Sequence, residues 1–171
     1  MALSAFEPAV GALGDALRAR GWRLATAESC TGGLIAAACT AVAGSSDWFE
    51  RGFVTYSNEA KTGLLGVDAA LIAAHGAVSE PVALAMARGA LTHAPVQLAV
   101  AVTGIAGPGG AVPGKPVGTV WLAWADARGA QAERLQLDGD RSAVREQTVH
   151  AALARLLARL QACCVPGDRS D

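Results

Sequence analysis

The chain has 171 residues, which suits one domain and leaves little room for two. Hydrophobic residues make up 52% and charged residues 17%, and the formal net charge is -1; such a balance gives no bulk pull on polyanions and argues against nucleic acid as a partner. The first twenty residues carry Glu7 and Asp15 without a basic start and apolar core, and no apolar run reaches membrane length. Neither signal peptide nor membrane anchor is therefore expected, and a cytoplasmic protein is.

From Glu7 to Arg20, Val10, Leu13 and Leu17 recur at helical spacing and Gly21 stands ready to end the segment. Arg23 to Ala27 reads as a short strand. The Gly32-Gly33 pair then allows a tight turn into a helix beginning Leu34-Ile35-Ala36. Phe49 to Tyr56 reads as a second strand, after which Ser57-Asn58 caps a short helix containing Lys61. Asp68 to Ala74 predicts another short helix, and Ser79-Glu80-Pro81 opens a longer one through Leu91.

Val96 to Val102 is an unbroken apolar run, as in a central strand covered on both faces. A long glycine-proline loop follows, from Thr103 through Pro116, of the kind that serves function in a small domain. Val117 to Ala125 predicts a strand, and the link Asp126-Ala127-Arg128-Gly129 is too short for a parallel crossover, so the next strand returns as a hairpin and the sheet is mixed. Arg141 to Leu160 closes the domain as a helix with Val144, Val149, Leu153, Leu156, Leu157 and Leu160 facing inward. One domain over residues 1–165 is expected, with a frayed tail at 166–171.

The chemistry concentrates between Thr26 and Lys61. Ser29 ends the first strand and Ser46 lies in a Gly44-Ser45-Ser46 loop; either hydroxyl is a candidate nucleophile if a base comes within reach. His75, His93 and His150 are scattered through helical segments without ligand-type spacing. Lys61 is then the candidate base, since a buried amine loses its proton more readily. Tyr56, the chain's single tyrosine, is a candidate proton relay, and Glu28 a partner for Lys61 or for a substrate hydroxyl. Cys30 is the rival nucleophile. Cys30, Cys39, Cys163 and Cys164 show no metal-ligand spacing and read as reduced thiols.

The Gly32-Gly33 turn and the loop from Thr103-Gly104 both follow predicted strands, where open α/β sheets bind ligands, and their amides can hold an anion. The loop lacks the dinucleotide and P-loop spacings. Lys115 and Arg141 are candidate anion anchors.

Taken together, Ala27-Glu28-Ser29-Cys30-Thr31-Gly32-Gly33, Gly44-Ser45-Ser46-Asp47-Trp48-Phe49, Gly52 to Lys61, Gly76-Ala77-Val78-Ser79-Glu80, Thr103-Gly104-Ile105-Ala106-Gly107-Pro108 and Lys115 to Val120 resemble the CinA C-terminal domain, the nicotinamide-nucleotide amidase family. The resemblance runs from about Leu17 to Arg145. It implies a three-layer α/β/α sandwich whose mixed, mostly parallel five-stranded sheet has one antiparallel strand. It also implies hydrolysis of the carboxamide of nicotinamide mononucleotide to nicotinic acid mononucleotide and ammonia, in pyridine nucleotide salvage, with no cofactor or metal.

By motif, Ser46 and Lys61 match the family's nucleophile and base, with Ser29 and Tyr56 in the same pocket. Glu28, Thr31, Gly32, Gly33, Thr103, Gly104 and Arg141 are the expected substrate contacts. The partners expected are a small nucleotide and further copies of the chain, a dimer being the simplest. The competing expectation is a non-catalytic nucleotide-binding module tied to competence or damage responses.

Overall fold

The computed structural model describes residues 2–162. Cys163, Cys164 and the tail expected at 166–171 lie outside them. Five strands are ordered β2-β1-β3-β4-β5: β1 (Leu24–Glu28), β2 (Phe49–Val54), β3 (Leu98–Gly104), β4 (Thr119–Asp126) and β5 (Gly129–Gln136). β1 pairs in parallel with β2 and β3, while β4 runs antiparallel to both its neighbours. Four strands thus point one way and β4 the other, the mixed sheet expected.

Six helices flank this sheet: α1 (Glu7–Arg18), α2 (Leu34–Thr40), α3 (Asn58–Leu65), α4 (Ala69–His75), α5 (Glu80–Thr92) and α6 (Arg141–Gln161). The apolar run of β3 is split by the pleat into two different surfaces. Leu98, Val100 and Val102 face a core shared with Phe6, Leu13, Ile35, Val144, Val149 and Leu153, under α1, α2 and α6. Ala99 and Ala101 face the other way, where Ala123, Val82, Met86 and Ala90 complete the layer under α5. Small residues on that face let α5 approach closely. An antiparallel hairpin turn at Ala127-Arg128 joins β4 to β5, as its length required.

Two local devices position the site. α3 begins where Ser57 Oγ accepts the Ala60 amide at 3.0 Å, and it ends at Gly66 with φ +68°. The end of α3 rests on α5 at Gly89, where an added Cβ would stand 2.2 Å from the Leu65 carbonyl oxygen. At the other end of the sheet, Asp126 is buried between two arginines. Its carboxylate takes Arg128 Nη2 and Arg159 Nη2, each at 2.7 Å. Burial alone would raise its pKa, but the guanidinium groups of Arg159 and Arg128 outweigh that and hold the carboxyl well below its usual range.

Candidate active site

Ser29 directly follows β1. Its amide donates to Val102 O on β3 at 3.0 Å, and the Glu28 carbonyl beside it accepts the Thr55 amide at 2.8 Å, so the main chain here is clamped from both sides. Lys61 lies one turn into α3, where helical side chains lean back toward the N-terminus. Its Nζ consequently meets Ser29 Oγ at 3.2 Å, Thr55 O at 3.0 Å and Ser57 O at 3.3 Å.

The lysine is only 1% exposed, and no carboxylate lies within ion-pair distance of it among the described residues. Burial lowers its pKa from the usual 10.5, more strongly than Cys30 and Glu59 act to raise it. A neutral amine has two N–H donors and one lone pair. With Thr55 O and Ser57 O taking the two N–H groups, the lone pair is left for the Ser29 hydroxyl. The arrangement suits proton removal from Ser29.

Ser46 is not part of it. The residue lies in the short turn Ser45–Asp47 just before β2, at the edge of the sheet where β1 and β2 begin. At about 3.3 Å rise per residue, the parallel register puts it roughly 15 Å or more from Ser29. Trp48, which would have walled a pocket around Ser46, is fully buried in the core against Gly14.

Glu28 points away from the lysine. One carboxylate oxygen accepts Thr26 Oγ1 at 3.1 Å and the Ala36 amide at 2.8 Å. The other accepts Thr31 Oγ1 at 2.7 Å, Gly33 N at 3.1 Å and Ile35 N at 2.9 Å. Glu28 therefore anchors the amides that open α2, and Thr31 spends its hydroxyl on the same carboxylate. Both were expected to touch substrate; both are buried structural groups whose service to the site is to fix the Ser29 turn. Gly32 and Gly33 make that turn possible with φ of +60° and +96°.

Thr103, another expected contact, is 1% exposed and donates to Ala77 O at 2.9 Å, tying β3 to the segment before α5. Gly104 serves close packing of β3 on β4: a Cβ there would come within 2.7 Å of Val120 Cγ2 and 2.9 Å of Thr119 O. Lys115 donates to His75 O at 2.9 Å, fastening the glycine-proline loop to the end of α4. Tyr56 is 60% exposed, and its hydroxyl accepts from Arg141 Nη2 at 2.9 Å. Arg141 Nη1 donates to Gly107 O at 3.0 Å, so Arg141 links Tyr56 to the glycine-proline loop. Cys30 is buried and its thiol is pushed up to about 12 by desolvation, which leaves it no thiolate near neutral pH.

Arg145 is a residue of this site that sequence motifs do not single out. Its Nη2 donates to Thr31 O at 2.8 Å, beside the Ser29 turn. The only signal for it was a spacing of four residues from Arg141 on a predicted helix. Among the described residues there is no cluster of three or more metal-ligating side chains, and no helix long and apolar enough to cross a membrane.

Residues 7–160 match the family model described as the CinA C-terminal domain. The chain is 58% identical over 145 residues to the nicotinamide-nucleotide amidohydrolase PncC of Pseudomonas putida, covering 85% of this chain and 91% of that one. It is 57% identical over 145 residues to the protein of the same name from Escherichia coli K12, covering 84% and 88%. A crystal structure of the competence/damage inducible protein CihA from Agrobacterium tumefaciens superposes with a TM-score of 0.88 at 46% identity, over 91% of this chain and 95% of that one. On the match of almost its whole length, the chain belongs to the CinA C-terminal domain family.

Proposed function

We propose that this chain is a nicotinamide-nucleotide amidase that hydrolyses the carboxamide of nicotinamide mononucleotide, a step of pyridine nucleotide salvage. The relatives named above support the substrate and the reaction. The observation that carries the mechanism is the contact of a buried, carboxylate-free Lys61 amine with Ser29 Oγ at 3.2 Å.

In this mechanism Lys61 Nζ removes the Ser29 proton as Oγ bonds to the carboxamide carbon, giving a tetrahedral intermediate. The proton then passes from the Lys61 ammonium to the amide nitrogen, the C–N bond breaks, and ammonia leaves an ester of Ser29. Lys61 next takes a proton from water, hydroxide attacks the ester, and the returned proton restores the serine and frees nicotinic acid mononucleotide. The Gly32 amide is occupied by Ser29 O and the Gly33 amide by Glu28, so neither glycine amide of this turn is assigned to the oxyanion. Tyr56 is not assigned to proton transfer, because its hydroxyl is bonded to Arg141.

Ammonia release from nicotinamide mononucleotide tests the assignment. Ser29→Ala and Lys61→Met, checked for folding, are expected to lose about 1,000-fold or more in kcat, while Ser46→Ala keeps near-normal turnover. Full activity of Ser29→Ala overturns the mechanism. Absence of ammonia release by the wild-type protein with this substrate favours the non-catalytic nucleotide-binding reading instead.

A further inference from the structure

Three buried side-chain polar atoms among the described residues have no hydrogen-bond partner: Trp48 Nε1, Arg145 Nε and Thr55 Oγ1. Of these residues only Thr55 belongs to the cradle of Lys61, whose Nζ donates to the Thr55 carbonyl at 3.0 Å. The other buried hydroxyls, on Thr26, Thr31, Ser79, Thr103, Thr119 and Thr148, each have a protein acceptor within 3.1 Å. A buried hydroxyl left without one is uncommon and costly, so its presence beside a reactive amine calls for a reason.

The strand register shows which way the hydroxyl points. β1 and β2 pair in parallel as far as Glu28 and Val54, and the Thr55 amide donates to Glu28 O at 2.8 Å, so Thr55 stands beside Ser29. Paired side chains share a face of the sheet and alternate along each strand. Glu28 turns to the amides of α2, which sends Ser29 and Thr55 to the opposite face, where Lys61 Nζ lies 3.2 Å from Ser29 Oγ. Thr55 is fully buried, so its hydroxyl serves the amine and not the substrate.

We propose that Thr55 is a positioning residue whose hydroxyl accepts an N–H of Lys61 during the charged half of the catalytic cycle. The proposal rests on the amidase reading for its reaction. At rest the neutral amine gives its two N–H groups to Thr55 O and Ser57 O and its lone pair to Ser29. Once Lys61 holds the Ser29 proton it has three N–H groups, and one must reach the nitrogen of the departing amide. The amine therefore turns from Ser29, and the contact to Ser57 O, at 3.3 Å the longest of its ties, is the one that opens. Thr55 Oγ1 takes the released N–H through a lone pair and keeps its own proton, so the proton still runs from Ser29 to Lys61 to the leaving nitrogen. Besides burial, Cys30 from the turn after β1 and Glu59 from α3 act on the amine. His75 of α4 and Glu80 and Arg88 of α5 are exposed, and Glu50 and Arg51 of β2 pair with each other.

The test uses Thr55→Val, which replaces the hydroxyl by a methyl, and Thr55→Ser, which keeps it. With nicotinamide mononucleotide, Thr55→Val is expected to lose about tenfold or more in kcat at little change in KM, while Thr55→Ser stays within about threefold of wild type. The urea midpoint of Thr55→Val is expected to stay level or rise, because no hydrogen bond of the resting fold is lost. NMR titration of Lys61 in Ser29→Ala, where the serine oxygen no longer competes, reads the same contact without substrate. Adding Thr55→Val there is expected to lower the Lys61 pKa by about a further half unit or more, and adding Thr55→Ser to leave it in place. An unchanged kcat in Thr55→Val, an equal loss in Thr55→Ser, a lower urea midpoint in Thr55→Val or an unmoved Lys61 titration overturns the proposal. Where the wild type releases no ammonia it is the amidase reading that fails, and the titration alone decides for or against the Thr55 contact.

Discussion

Replacing Glu28 by glutamine changes almost no volume, so its effect isolates what the carboxylate does for the Ser29 turn. Five donors converge on the two oxygens: the Thr26 and Thr31 hydroxyls and the amides of Gly33, Ile35 and Ala36. A glutamine keeps one acceptor oxygen and puts an NH2 group where the other was. With that NH2 toward Gly33 and Ile35, one buried and one partly buried amide lose their acceptor. With it toward Ala36, one does, while the Thr26 hydroxyl can turn to accept, so this orientation is the cheaper.

One orphaned amide costs about 1–3 kcal/mol, and losing the anion at a helix N-terminus adds roughly 0.3–2 kcal/mol. Glu28→Gln is therefore expected to destabilise the fold by about 1–5 kcal/mol, read in urea as a lower midpoint at unchanged slope. Because Ser29 is the next residue, ammonia release should fall as well. A stability change below about 1 kcal/mol would refute the view that this carboxylate is the keystone of the turn.

Gly89→Ala pushes a methyl into the Leu65 carbonyl and must displace α3, which carries Lys61; a loss of about 1–3 kcal/mol in urea unfolding and a parallel drop in turnover are expected. Asp126→Asn should destabilise by about 2–3 kcal/mol at neutral pH, since it removes the buried charge on which Arg128 and Arg159 converge. The folded-state pKa of Asp126 is depressed below 3.8, so the wild-type advantage is fully present above that value and shrinks as pH falls toward the folded pKa in unfolding curves. Lys61 has a linkage of the same sign in a higher pH window. Its folded-state pKa lies below 10.5, so between the two values the unfolded chain binds more protons and stability rises with pH. Cys30 and Cys39, raised to about 12 by burial, pull stability down above about pH 9, so the Lys61 contribution is read as the difference between wild type and Lys61→Met.

The succession of elements was legible because periodicity and punctuation agreed: Gly21, Ser57, Asp68 and the Asp126–Gly129 link each mark a real boundary. Ser46 shows where motif resemblance outran geometry. A serine in the segment entering a parallel strand lies at that strand's N-terminal end, whereas ligands of such sheets gather at the C-terminal ends, where Ser29 is. Glu28 and Thr31 are expected substrate contacts by resemblance because sequence carries no direction for a side chain, although a carboxylate just ahead of a glycine turn and a helix is a natural anchor for helix amides. Arg145 was invisible for a related reason. Its significance is an unpartnered Nε, and only coordinates show what a nitrogen lacks.

The central claim is that one buried amine is basic enough to touch Ser29 yet uncharged often enough to deprotonate it. NMR titration of the Lys61 side chain, assigned by comparison with Lys61→Met, measures this directly. The account predicts a pKa displaced downward from 10.5 in the folded protein, with the titration perturbed in Ser29→Ala and unaffected in Ser46→Ala. A Lys61 that titrates at or above 10.5 and does not sense the loss of the Ser29 hydroxyl would contradict it.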